Sequence, residues 1–172
     1  SEMCIRDRVN GAPVASGTTS APIPLQVGLN TMSVVVTAQD AATALVYAIS
    51  VTRTAPSANA DLSALLPSSG TLSPALQPTQ TSYTVAVEHS VESLRLAPGT
   101  VHPAATVKVN GAPVASGATS APVALSVGAN AISVVVTAED ASTTKTYAVV
   151  VTRAPVAKDA GLAGLTPAEG VL

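Results

Sequence analysis

The chain has 172 residues, of which 47% are apolar, 10% are charged and 2% are aromatic. Its net charge is −2 without a basic cluster, which argues against a nucleic-acid partner, because phosphate contacts need clustered Lys and Arg. Gly, Pro, Ser or Thr interrupts every apolar run well before the ~20 residues of a membrane-spanning helix. We therefore expect no membrane span in this sequence.

The first eight residues, SEMCIRDR, differ in composition from everything that follows. They hold the single cysteine, Cys4, and four charged residues. This text resembles the translation of a transposon-end adaptor used in sequencing libraries. We expect residues 1–8 to be an artefact outside the fold, without chemistry of their own.

Short runs of alternating apolar residues predict the first strands of the segment from 61 onwards, in chain order at 61–67, 70–73, 82–88 and 93–97. In the fourth run, Leu94 and Leu96 are expected to point inward. The dipeptide Pro98-Gly99 predicts a turn. A strand at 106–109 follows, and Asn110-Gly111 predicts a type I′ hairpin turn because both residues tolerate a positive φ. A further strand is predicted at 121–127.

The stretch 130–153 predicts the closing hairpin. Two runs alternate with period two on either side of a polar segment, 138–145, so that alternate side chains share one face. A buried tyrosine needs a partner for its hydroxyl, and we expect Tyr83 or Tyr147 to bond with nearby backbone. The expected inward residues are Ile132, Val134, Val136, Tyr147, Val149 and Val151.

An internal repeat with an offset of 100 residues organises the chain. Residues 9–53 align without a gap to 109–153, with 31 of 45 positions identical. The same offset relates Leu62, Leu65, Gly70 and Leu72 to Leu162, Leu165, Gly170 and Leu172. We therefore expect a fragment of a domain array, divided into the end of one repeat (9–53), a linker (54–58), a complete repeat (59–153), a linker (154–158) and the start of a third repeat (159–172).

About seven short strands per repeat, without helical periodicity, predict an all-β fold of tandem immunoglobulin-like antiparallel β-sandwiches, one complete repeat flanked by two partial ones. No Cys…Trp…Cys signature is present, so antibody-like domains are excluded. We expect 59–153 to fold alone, whereas 9–53 should leave apolar faces and strand edges open.

The motifs, taken together, resemble the cadherin-like β-sandwich repeat of bacterial surface proteins. The resemblance is carried by A-x-L-x-x-L from Ala60, S-G-x-L-x-P from Ser69, V-x-V-N-G from Val107, V-T-A-E-D from Val136 and K-T-Y from Lys145. It implies tandem modules of secreted or cell-surface proteins, and hence an extracellular location. It implies no catalytic residue and no cofactor.

Calcium is the natural candidate ligand for such a repeat. A calcium site needs several converging carboxylate and carbonyl oxygens, and the chain has no D-x-D run. The surviving candidate is an interdomain site that joins Asp159 to Glu139 or Asp140. The alternative is that Asp140 nucleates the hairpin loop through its side chain, while Glu139 is solvated.

The first copy argues against a fixed role for two loop residues. Gln39 stands in place of Glu139, and Leu45 in place of Lys145. A residue essential to every copy is not expected to vary, so both are interpreted as surface positions. His89 and His102 lack a convergent third ligand or an oriented nucleophile, and are predicted to be solvated loop residues.

Three functional hypotheses follow. The first is a non-enzymatic spacer or adhesive repeat whose partners are the neighbouring repeats of the same chain. The second is a module that binds a glycan or protein through loops such as 99–105 or 138–145. The third is an accessory region of an extracellular enzyme whose catalytic domain lies elsewhere.

Overall fold

The computed structural model describes residues 6–158. These residues contain no helix, and hence none that could cross a membrane. They form two compact units, the first ending at Pro56 and the second beginning at Ser57. The strands of the first unit are β1 (Arg6–Val9), β2 (Ala12–Val14), β3 (Gly28–Thr37) and β4 (Ala44–Arg53). Those of the second are β5 (Leu62–Pro67), β6 (Leu72–Ser73), β7 (Ser82–Val87), β8 (Ser93–Leu94), β9 (Leu96–Thr100), β10 (Thr106–Val109), β11 (Ala112–Val114), β12 (Val123–Ala124), β13 (Gly128–Thr137) and β14 (Thr144–Arg153).

The second unit is a β-sandwich. One layer is a six-stranded sheet in the order β11-β10-β13-β14-β7-β6, and the other contains the pairs β5–β9 and β8–β12. Both layers supply residues to a single apolar core. The six residues predicted to point inward from the closing hairpin are all at most 1% exposed, so the predicted core face of that hairpin is confirmed.

The first unit reproduces one part of this architecture. Its sheet has the order β2-β1-β3-β4, and the β3–β4 ladder has the same register as β13–β14, offset by 100 residues. The Asn-Gly turns also match, with φ values of 48° and 83° at Asn10 and Gly11 and of 47° and 83° at Asn110 and Gly111. These positive φ angles are those that a type I′ turn requires.

The all-β sandwich class is confirmed, with one difference in strand direction. β7 pairs with β14 in parallel, from Ala148 opposite Ser82 to Arg153 opposite Val87. Period-two alternation is the same in parallel and antiparallel strands. The direction is decided by the chain between β7 and β10, which first crosses to the other layer as β8 and β9.

The predicted turn at Pro98-Gly99 is wrong, because both residues lie within β9. Pro98 pairs with Leu65 and Gly99 with Ala64, beside a register shift in β5. A Cβ on Gly99 would approach the Oγ of Ser63 to 3.0 Å. Glycine therefore allows the close approach of the irregular β5 backbone, and not a reversal of the chain.

The predicted strand 121–127 is shorter than expected. β12 ends at Ala124, Leu125 is buried and Val127 is exposed. The side chain of Asn130 accepts a hydrogen bond from the N–H of Ser126 (2.9 Å) and donates to its carbonyl (2.8 Å). These two bonds hold the backbone outside the ladder before Gly128.

Residues 6–8, which were expected to lie outside the fold, belong to β1. Arg6 pairs with Thr37 and Asp7 with Val36, the register of Thr106 and Val107 in β10. The composition of residues 6–8 does not predict this pairing. It depends on the edge of β3, which can pair with an extended segment through its backbone groups. Asp7 stands where Val107 enters the core, and its Oδ1 is buried without a hydrogen-bond partner.

Candidate functional site

The loop 138–143 of the closing hairpin is built around Asp140. Its Oδ1 accepts hydrogen bonds from the N–H groups of Ser142 (3.0 Å) and Thr143 (2.8 Å), and its Oδ2 from the Thr143 hydroxyl (2.6 Å). The Thr143 hydroxyl is the main cause that lowers the pKa of Asp140 to about 2. Asp40 makes the same contacts in the first unit, and its pKa is also lowered. The predicted loop-nucleating role of Asp140 is confirmed.

Glu139 binds the chain that enters the second unit. Its Oε2 accepts a 2.8 Å hydrogen bond from the N–H of Ser57, and the Ser57 carbonyl accepts one from the N–H of Asp140 (3.1 Å). The Nε2 of His102 lies 3.7 Å from the same carboxylate oxygen. The end of the linker is therefore held against the hairpin loop through both its backbone N–H and its carbonyl.

Lys145 binds the residue that precedes β5. Its Nζ donates a 2.7 Å hydrogen bond to Oδ1 of Asp61 and another to the carbonyl of Pro78. The same nitrogen lies 5.5 Å from the centre of the Tyr147 ring, within cation–π distance. The hydrogen bond with Asp61 is the main cause that raises the pKa of Lys145. We call Ser57, Asp61, Glu139, Lys145 and Tyr147 the N-terminal anchor.

Arg153 organises the opposite end of β14. Its Nε donates to the carbonyl of His89 (2.9 Å), and its Nη1 to the carbonyl of Leu125 (2.9 Å). The N–H of Ala154 donates to the carbonyl of Val87 (2.9 Å), and the Nδ1 of His89 lies 3.2 Å from the Ala154 carbonyl. The start of the second linker is therefore also held to the sandwich. We call His89, Arg153 and Ala154 the C-terminal anchor.

Comparison with known proteins places this geometry in a family. The sequence model described as a cadherin-like β-sandwich domain matches residues 5–54 and 62–154. The chain belongs to the cadherin-like β-sandwich family. The second matched segment spans β5 to β14, and the first spans β1 to β4, so the family pattern is met twice.

One similar curated protein is from Evansella cellulosilytica and carries the name of a membrane protein. It is 39% identical over 85 residues, which make up 49% of this chain and 13% of that protein. A solved structure of fibronectin(III)-like modules of Clostridium thermocellum CbhA aligns with 94% of this chain and 86% of its own, at 12% identity and a TM-score of 0.30.

Three residues were candidates for a calcium site. One of them, Asp159, lies outside the described residues of the cadherin-like chain, which end at residue 158. Within residues 6–158, no three His, Cys, Asp or Glu side chains lie close enough to hold a metal ion. Asp140 directs both carboxylate oxygens at donors of its own loop, and Glu139 accepts from Ser57. An interdomain site with Asp159 stays a prediction.

The sequence interpretation placed Glu139 and Lys145 at the surface without a fixed role. Glu139 is exposed and Lys145 is half-buried, but both side chains bind the chain that enters the repeat. That interpretation rested on their replacement in the first copy by Gln39 and Leu45. Their partners, Ser57 and Asp61, lie more than 80 positions earlier, and the aligned first copy begins at residue 9, after the corresponding partner positions. The comparison of the two copies therefore did not include Ser57 and Asp61, the residues that Glu139 and Lys145 bind.

Neither histidine is oriented towards a nucleophile. His102 accepts a 3.3 Å hydrogen bond at Nδ1 from the N–H of Ala104, and His89 lies against the carbonyl of Ala154. Both lie in loops, as predicted, and both are half-buried. Each stabilises local backbone beside a linker.

Proposed function

We propose that the chain is a non-enzymatic, load-bearing spacer repeat. The observation that supports this most is the attachment of the two linkers to opposite ends of β14. Ser57 is bound beside the loop that precedes Thr144, and Ala154 follows Arg153 directly. Ten extended residues at about 3.3 Å each separate these points by about 30 Å.

The pairing of β14 is suited to a pulling force along that axis. β14 is flanked by β13 through ten antiparallel residue pairs and by β7 through six parallel pairs. A force along β14 loads the bonds of both ladders in shear, so many must break together. A force across the hairpin opens its pairs one after another.

The N-terminal anchor directs the load into the same strand. Tension on the first linker reaches Glu139 through Ser57 and reaches Lys145 through Asp61. Tyr147 lies on β14 and accepts a hydrogen bond from the N–H of Leu62. Both linkers thus act on β14 and its hairpin loop.

A passive role fits the polar groups of the second unit. The polar side chains of the second unit that could serve in catalysis bind backbone groups or loop residues of the unit itself; they are the two histidines, Glu139 and Asp140. Catalysis would need such groups to be oriented towards a substrate. The relative's name as a membrane protein supports a secreted or cell-surface location.

Single-molecule pulling tests the load-bearing role. Handles on Pro56→Cys and Lys158→Cys, in a chain carrying Cys4→Ser, stretch the second unit along β14. Handles on Ala129→Cys and Thr152→Cys, two exposed residues that face each other near the open end of the hairpin, open the same sheet pair by pair. We expect a rupture force several-fold higher along β14.

Two variants test which contacts resist the pulling force. Glu139→Gln with Lys145→Leu, the residues of the first copy, should lower the rupture force along β14 by loosening the N-terminal anchor. Lys108→Ala changes an exposed side chain on β10, outside the loaded strands, and should leave the force unchanged. Equal rupture forces for the two pulling directions would reject the spacer mechanism.

A further inference from the structure

The turn between β10 and β11 contains two groups that can react with each other. In an Asn-Gly pair, the backbone nitrogen of glycine can attack the side-chain carbonyl carbon of asparagine, because glycine has no Cβ to hinder a close approach. Asn110 and Gly111 are both exposed. Apart from its chain neighbours, no described residue lies within 4 Å of the place where a Cβ of Gly111 would stand. The site is therefore accessible to water and sterically open.

The folded sheet binds Asn110 on two sides. Its Oδ1 accepts a 2.9 Å hydrogen bond from the N–H of Ser133, and its own N–H donates a 2.8 Å hydrogen bond to the Ser133 carbonyl. The side-chain carbonyl is therefore directed at β13. An intramolecular attack needs the reacting atoms in a near-attack arrangement, and a rotation of the amide group towards Gly111 breaks the bond with Ser133.

The first unit repeats this restraint at its own Asn-Gly turn. The Oδ1 of Asn10 accepts a 2.8 Å hydrogen bond from the N–H of Ser33, and the N–H of Asn10 donates a 2.8 Å hydrogen bond to the Ser33 carbonyl. The backbone angles of the two turns also agree to within 1°. The restraint therefore belongs to the turn and to the strand beside it, and not to one copy of the repeat.

Asn130 provides an internal comparison. It precedes Ala131, whose Cβ shields the backbone nitrogen that would have to attack. The side chain of Asn130 accepts from the N–H of Ser126 and donates to the carbonyls of Ser126 and Gly128. Asn130 is therefore less reactive in sequence as well as more firmly held.

We propose that Asn110 is a self-modification site that the folded turn keeps closed and that reacts when the turn separates from β13. The nitrogen of Gly111 forms a bond to Cγ of Asn110 and the Cγ–Nδ2 bond breaks. Ammonia leaves with the proton of the Gly111 N–H, and a succinimide ring remains. Water then opens this ring. Cleavage of the new N–Cγ bond leaves aspartate, whereas cleavage of the bond between the nitrogen and the main-chain carbonyl carbon leaves isoaspartate.

The two products have different consequences for the hairpin. Isoaspartate routes the backbone through Cβ and so adds a carbon atom to a two-residue turn. The register of β10 and β11, with Val109 opposite Ala112, depends on the length of that turn. Aspartate keeps the backbone length, and its carboxylate can still accept from the N–H of Ser133. Isoaspartate therefore makes an opening of this turn permanent.

Peptide mapping by mass spectrometry tests the site, after prolonged incubation of the chain with Cys4→Ser at neutral pH. The tryptic peptide 109–145 contains both Asn110 and Asn130. Asn110 should deamidate at least about tenfold more slowly in the folded chain than in a synthetic peptide of residues 107–114, because only the opened fraction reacts. In urea, Asn110 should react as fast as in the peptide, and Asn130 should stay unmodified. An equal rate in folded chain and peptide, or no reaction of Asn110 in urea, would overturn the proposal.

Asn110→Asp is the matched control for the product. It has the charge of the modified residue with an unaltered backbone, and should keep the amide-exchange protection of β10 and β11. The isoaspartate form, purified after incubation in urea and refolded, should lose the protection of these two strands. Equal protection in the two forms would show that the turn closes again after modification and would overturn the permanent opening.

Discussion

Leu62 and Tyr147 lie 85 positions apart, and the backbone N–H of Leu62 donates a 3.0 Å hydrogen bond to the hydroxyl of Tyr147. Both residues are buried in the core. This bond joins β5 in one layer to β14 in the other. It therefore connects the first strand of the complete repeat, which follows the first linker, to the last strand, which precedes the second linker.

Tyr147→Phe should destabilise the second unit by about 1–3 kcal/mol, because it leaves the buried N–H of Leu62 without an acceptor. The measurement is the free energy of unfolding in urea, followed by the amide resonances of β13 and β14.

Tyr83→Phe is the matched control. The Tyr83 hydroxyl donates to the carbonyl of Gln80 (2.9 Å) in a half-buried loop, where water can replace it. Its loss should cost about 1 kcal/mol or less. If the two variants lost equal stability, the bond between Leu62 and Tyr147 would contribute no more to folding than the half-buried bond of Tyr83.

Lys145→Leu should cost up to about 1 kcal/mol at low salt, since a partly exposed ion pair contributes little. A double-mutant cycle with Asp61→Asn isolates the coupling between the two side chains. High salt should reduce that coupling. A coupling that is insensitive to salt would show that the contact acts through packing alone.

The ion pair also predicts a dependence on alkaline pH. The pKa of Lys145 is raised in the folded state, mainly by Asp61, from an ordinary value of 10.5. Its contribution is therefore complete below pH 10.5 and is lost as the pH rises through the raised folded pKa. The Lys145→Leu variant should lack this component of the alkaline unfolding curve.

Asp140 predicts a dependence on acidic pH with the opposite sign. Its pKa falls from 3.8 to about 2 on folding, so its contribution is present above pH 3.8 and is lost as the pH falls towards 2. Carboxyl NMR titration should show this low pKa directly. Asp140→Asn should flatten the stability curve between pH 4 and about 2.

Gly70→Ala should destabilise the second unit by about 2 kcal/mol or more, because strain and a steric clash combine. Gly70 has a φ of 74°, and an added Cβ would lie 2.4 Å from the carbonyl oxygen of Ala86 and 2.8 Å from Cγ1 of Val85. Thermal unfolding of the full chain measures the loss.

Gly117→Ala separates the two causes. Gly117 has a similar φ of 78°, but nothing lies within 4 Å of an added Cβ. Only the strain of about 1–2 kcal/mol is then expected. A loss at Gly117 as large as that at Gly70 would show that the clash with β7 relaxes without cost.

Some parts of the fold follow from local sequence. Alternation of β-branched residues predicted which side chains of the closing hairpin enter the core, since successive residues of a strand face opposite sides. The Asn110-Gly111 turn was predictable for the same local reason, because few other residue pairs accept its backbone angles. Asp140 was predictable because its partners lie two and three positions away.

Other features depend on residues far apart in the chain. Pro98-Gly99 has the composition of a turn, but β5 pairs with it and keeps it extended. Glu139 and Lys145 differ between the copies, and only folding brings Ser57 and Asp61 to them. The parallel partner of β14 depends on how the chain crosses between the layers.

The sequence by itself determined the repeat, the all-β class and the inward face of the closing hairpin, because these depend on periodicity and on short-range backbone preferences. The tertiary structure alone decided that this hairpin also holds the chain leading into its own repeat. That role depends on contacts such as Leu62 with Tyr147, whose cost in chain entropy is offset only when a whole sandwich forms around them.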